Sequence, residues 1–104
     1  MFSASLIVSL LLSLQVMAQG ERQQFSQCLR AFMNEKIEQG MSASDFDTAI
    51  AAACQQQETA YRTAYIAAAV RAGDRRPMAE TDATTEVTDL RANYKELFRG
   101  SQAE

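Results

Sequence analysis

Two cysteines, Cys28 and Cys54, flank the turn sequence Gln39-Gly40-Met41-Ser42-Ala43-Ser44, and Met41 lies midway between them. In an antiparallel helical hairpin, residues equidistant from the turn stand level with each other. The two sulfurs would then face across a helix pair, where a disulfide needs Cα atoms within about 7 Å. A bond at that place leaves the register of the pair almost no freedom to slip. Reflection about Met41 sets Phe32 opposite Ile50, Phe25 opposite Gln57, and Ile37 near Phe46. No other feature of the chain narrows the choice of fold as far.

The segment ahead of the cysteines supplies the compartment. Residues 1–18 read as a secretory signal peptide with the apolar run Leu6-Ile7-Val8-Ser9-Leu10-Leu11-Leu12-Ser13-Leu14. Val16 and Ala18 put small residues at the third-last and last positions before a cut ahead of Gln19. The amino terminus is the only positive charge before that run. A bilayer span needs about 20 apolar residues, so the run is short for an anchor, and no membrane span is expected after cleavage. Export places the chain in the periplasm or outside the cell, where a cysteine pair closes into a disulfide. Residues 19–100 then form a single helical domain, with 101–104 as a disordered tail. Domains of this size commonly rely on a covalent staple.

Helical spacing runs along the whole mature chain. Phe25, Cys28, Leu29, Phe32, Met33 and Ile37 form one apolar stripe on a first helix from about Glu21 to Gln39, with Gly40 as its stop. A second helix begins near Ser42 or Ser44, where Ser44 and Asp47 resemble a capping box. Phe46, Ile50, Ala53, Cys54, Gln57, Tyr61, Ala64, Tyr65 and Ala68 then hold the helical period without interruption up to Gly73. At about 1.5 Å per residue that helix is roughly 40 Å long and overhangs the first. The overhang is covered by a third helix that follows the single proline, Pro77. Its Ala83, Val87, Leu90, Tyr94 and Leu97 repeat like a short coiled-coil seam, widened by Phe98 and ended by Gly100. Folding back at residue 74 sets Val87 level with Tyr61 and Phe98 near Ile50. The expected fold is all-α: an up-down-up three-helix bundle whose disulfide joins helices 1 and 2.

Chemistry is harder to find than architecture. Histidine is absent, which removes imidazole acid–base catalysis, Ser–His and Cys–His nucleophiles and the usual zinc sites. Asp82, Glu86 and Asp89 share a helix face, which reads as a solvated flank opposite the seam. They lack calcium-loop spacing. Cys28 and Cys54 sit on apolar stripes inside helices, without a Cys-x-x-Cys arrangement, and so read as structural cysteines. Arg71, Arg75 and Arg76 compensate a helix end and solvate a turn. Met33, Met41 and Met78 are too dispersed for a copper-binding tract. No catalytic residue, metal or cofactor is therefore expected. With a formal charge of −3, nucleic acid is a poor partner. Ile66 and Val70 project away from the core face of an Ala-rich helix and are the candidate interface. The partner expected there is another envelope protein or a second copy of the chain.

The pairs Cys28-Leu29 and Ala53-Cys54, the stretch Ala60-Tyr61-Arg62-x-Ala64 and the pair Glu86-Val87 span most of the chain after Gln19. In these features the chain resembles short secreted two-cysteine proteins of Gram-negative bacteria that have no assigned function. In architecture it is also similar to the periplasmic acid-stress chaperones, which are small, secreted, all-helical and held by one disulfide. It departs from them in its closer cysteine spacing, its few lysines and its lack of tryptophan.

The expected function is that of an exported helical interaction or structural module without catalytic activity. An acid-stress chaperone is the alternative that the second resemblance implies. Protonation of its 13 carboxylates at about pH 3 to 4 would leave a positive, self-repelling chain. A thiol–disulfide oxidoreductase using Cys28 and Cys54 is the alternative from another class. For a structural bond, reduction lowers the unfolding free energy by about 2 to 4 kcal/mol and leaves the helices formed at low temperature. Urea titration of the oxidised and reduced chain, followed by circular dichroism, checks this.

Overall fold

Both wide turns of the chain are closed by a glycine in the left-handed region, and those two closures set the order of the helices. The computed structural model describes the backbone of residues 2–102 and the side chains of residues 18–102. Four helices follow one another: α1 (Phe2–Glu38), α2 (Ala43–Ile50), α3 (Gln55–Arg71) and α4 (Arg76–Gln102). Gly40, at φ 71°, ends α1, and Met41 N–H returns to Lys36 O at 3.1 Å. Gly73, at φ 110°, ends α3 in the same way, with Asp74 N–H on Ala69 O at 3.0 Å. These six-to-one bonds satisfy carbonyls that a helix end otherwise leaves open. Ser42 caps α2, its Oγ accepting from Asp45 N–H at 3.1 Å. Ser44 and Asp47 do not form the expected box.

The all-helical class holds, and among the described residues there is no strand. The count of three helices does not hold. The long second helix is broken at residues 51–54, giving α2 and α3. There Ala52 and Ala53 N–H fall back on the carbonyls of Ala49 and Ile50, and Cys54 takes φ 63° and ψ 38°. The disulfide forms, with Cα atoms 6.1 Å apart. It ties the interior of α1 to the residue that starts α3, rather than joining two helix interiors. Arg91 of α4 donates to the carbonyls of Ile50 and Ala53 at this break.

Because α2 and α3 are separate rods, no single reflection about Met41 relates both of them to α1. Phe32 meets the ring of Phe46, centroids 5.9 Å apart, and Phe25 meets Tyr61 at 6.2 Å. Each is one turn from its mirror position, in opposite directions, with the disulfide between them. α2 packs more on α4 than on α1, and Phe46 stacks on Phe98 with centroids 4.1 Å apart. The core combines Phe25 and Leu29 of α1, Phe46 and Ile50 of α2, Tyr61 of α3, and Val87, Leu90, Tyr94 and Phe98 of α4. Ser26 and Tyr94 share a 2.6 Å hydrogen bond between α1 and α4.

α4 folds back on α3 as expected. Tyr61 OH reaches Glu86 at 3.5 Å, and Arg62 donates to Thr84 at 2.9 Å. Its seam differs from the expected heptad, since Leu97 is 47% exposed and Phe98 is buried. The buried positions are Ala79, Ala83, Val87, Leu90, Tyr94 and Phe98. Steps of four, four and three residues make an eleven-residue repeat of about 3.67 per turn, so the stripe follows α4 with little supercoiling.

α1 starts upstream of the expected Glu21. The expected signal peptide falls almost wholly on residues 1–17, whose side chains lie outside those described. α4 passes the expected stop at Gly100 and reaches Gln102, and residues 103–104 of the expected tail lie outside the described residues. Phe46→Ala and Phe98→Ala are each expected to cost about 3 to 5 kcal/mol. The double variant should cost less than their sum, because the two share one stacked contact; urea unfolding of the three variants measures both effects.

Candidate functional site

The densest polar cluster surrounds the break between α2 and α3. Arg91 of α4, with a side chain only 12% exposed, donates from Nε to Ile50 O and from Nη2 to Ala53 O, both at 3.0 Å. Its Nη1 lies 2.6 Å from Glu58 Oε1 in the first turn of α3. The guanidinium also covers the ring of Phe25, 5.2 Å from the centroid. Glu58 Oε2 takes a second cation, Arg62 Nε, at 2.8 Å. One cation thus contacts α1, α3 and the link to α2, next to the disulfide. Arg91 and both carboxylate oxygens of Glu58 thus have partners inside the protein.

Burial raises the pKa of Glu58, but hydrogen bonds from Arg62 and Arg91, together with their charges, outweigh it and hold the carboxyl below its ordinary range. Tyr61 and Tyr65 are displaced upward, first by burial and then by nearby acids, Glu86 for Tyr61 and Asp82, Glu86 and Asp74 for Tyr65. Neither tyrosine is thereby made a better base or nucleophile near neutral pH.

The expected site residues do not converge. Cys28 and Cys54 are half-buried in their disulfide. Asp82 and Asp89 are exposed, whereas Glu86 turns to Tyr61. Arg71, Arg75 and Arg76 are exposed, and Arg76 makes only a 4.0 Å ion pair with Glu80. Met33 and Met41 pack against the core, and Met78 is 61% exposed.

Ile66 and Val70 do come together. They line a groove of 490 Å³ between α3 and the start of α4, rimmed by Arg71, Arg76 and Glu80. Ile66 is half-buried and Val70 is 42% exposed. On the other flank of α3 lies a second groove of 380 Å³, where Ala18 and Arg22 of α1 face Tyr65, Ala69 and Asp74. The carboxyl-terminal half of α3 therefore shows apolar surface on both sides.

Among the described residues, no group of three His, Cys, Asp or Glu gathers as a metal site, and no helix is long and apolar enough to cross a membrane. The chain matches no protein-family model, no curated protein and no solved structure.

Reading the sequence for motifs passes over Arg91 and Glu58. The signal was there in another form, since each is a charged residue set within an apolar stripe. Arg91 falls between Leu90 and Tyr94, and Glu58 between Cys54 and Tyr61. Arg91→Met should cost about 2 to 3 kcal/mol, since it removes one of the two cations on Glu58 and the charged donor to two carbonyls. The Glu58 carboxyl, lowered on folding, contributes stability that is present above the ordinary carboxylate pKa of about 4.3 and lost as pH falls through its folded value. Thermal melts from pH 7 to pH 3 should show a steeper acid decline for the wild type than for Glu58→Gln.

Proposed function

We propose that the chain is an exported helical interaction module without catalytic activity, which binds another envelope protein or a second copy of itself. The observation that carries this reading is the apolar flank of α3, where Ile66 and half-exposed Val70 share a groove with a mixed-charge rim. An apolar centre within a polar rim is the common anatomy of a protein-binding patch.

Export is part of the same proposal, with residues 1–18 as the signal peptide. A disulfide is compatible with a periplasmic or extracellular location. The likeness to short secreted two-cysteine proteins is in keeping with this reading.

Sedimentation velocity of the mature chain, combined with capture from envelope extract, tests the patch. Wild type should form a dimer or hold a partner, and Ile66→Glu with Val70→Glu should abolish that by at least about tenfold in affinity while leaving the melting curve in place. A monomer without a partner, indifferent to both substitutions, would refute the proposal.

A further inference from the structure

Nothing in the local sequence calls for the break between α2 and α3. Residues 50–55 read Ile-Ala-Ala-Ala-Cys-Gln, with no Gly or Pro and with three consecutive alanines, the strongest helix formers. The stripe Phe46, Ile50, Ala53, Cys54, Gln57 and Tyr61 keeps helical spacing straight through that stretch. Cys54 nevertheless stands at φ 63°, where an L-residue with a Cβ is disfavoured. Among the described residues, the other positive φ angles belong to Gly40 and Gly73. The break therefore runs against local preference and is held from outside.

Two external holds are in place. The disulfide anchors Cys54 to α1, and Arg91 occupies Ile50 O and Ala53 O. In an unbroken helix those two carbonyls would accept from the N–H groups of Cys54 and Gln57, four residues on. Arg91 and the helix thus compete for the same acceptors, and the covalent anchor keeps the helix from closing on them. The apolar stripe would face the core whether the rod is broken or joined.

We infer that the disulfide is a conformational latch, whose reduction lets residues 51–54 become helical and joins α2 and α3 into one helix. The reductant is a dithiol. Its thiolate attacks one sulfur of the Cys28–Cys54 bond, and its second thiol resolves the mixed disulfide. The dithiol leaves as a disulfide, while Cys28 and Cys54 take up the two electrons and two protons as thiols. Cys54 then leaves the left-handed region, Arg91 gives up both carbonyls, and Phe46 is drawn off Phe98.

Backbone NMR of the full chain reads this directly, comparing the oxidised wild type, the wild type reduced with dithiothreitol, and Cys28→Ser/Cys54→Ala. In the reduced protein and in the double variant, the 13Cα shifts of residues 51–54 should move to helical values. The amide of residue 54 should exchange more slowly by on the order of tenfold as it gains a helical acceptor. A left-handed shift that persists at residue 54 in both samples overturns the inference. Loss of helical shifts throughout the chain in both samples also overturns it, because the bond would then hold the whole fold rather than the break.

Discussion

The guanidinium of Arg91 reaches two backbone carbonyls, one carboxylate and one aromatic face. These partners come from α1, from α3 and from the link that ends α2. A buried cation is costly unless its hydrogen bonds are met, and here the broken helix supplies the missing acceptors. The break and the cation explain each other. Without the freed carbonyls, Arg91 would have Glu58 alone. Without Arg91, Ala53 O would lose its side-chain donor and Ile50 O would keep only the Ala53 N–H. The placing of α2 under the end of α4, with Phe46 on Phe98 and Asp47 on Arg99 at 2.7 Å, follows from that joint.

Much of this architecture could be read along the chain. The cysteine pair, the stripe of α1, the stripe of α4 apart from Leu97, and the glycine turns at 40 and 73 each carry a local signal, and each appears where the residues suggest. The break between α2 and α3 carries no local signal. Its residues favour helix, and the side chain that occupies its carbonyls, Arg91, sits some forty positions later, so no window of ordinary length includes both. Leu97 and Phe98 show a second limit. Neighbouring apolar residues both fit a stripe within one position, and only the drift of α4 over several turns decides that Phe98 goes inside.

The candidate surface was legible in a different sense. Ile66 and Val70 stand out because an Ala-rich helix needs no aliphatic residue on its outer side, and α3 does leave them on a groove. What they would meet has no counterpart in the spacing of residues, since a binding patch is complementary to another molecule's surface. The Arg91–Glu58 cluster was open to sequence reading as opposite charges within apolar stripes, yet pairing them requires the fold-back at residue 74 first.

The two glycine closures also bear on the order in which the bundle assembles. The Gly73 turn sets α3 against α4 through a small loop at little entropic expense, whereas α1 meets α3 and α2 meets α4 across longer ones. The contacts between α1 and α4, through Ser26 with Tyr94 and Phe25 with Arg91, span the longest stretch of chain. Assembly by loop size therefore begins with the local hairpins and finishes when α4 seats against α1. The cysteines belong to the early stage. In a chain made from its amino terminus, both are in place before the helix that supplies Arg91.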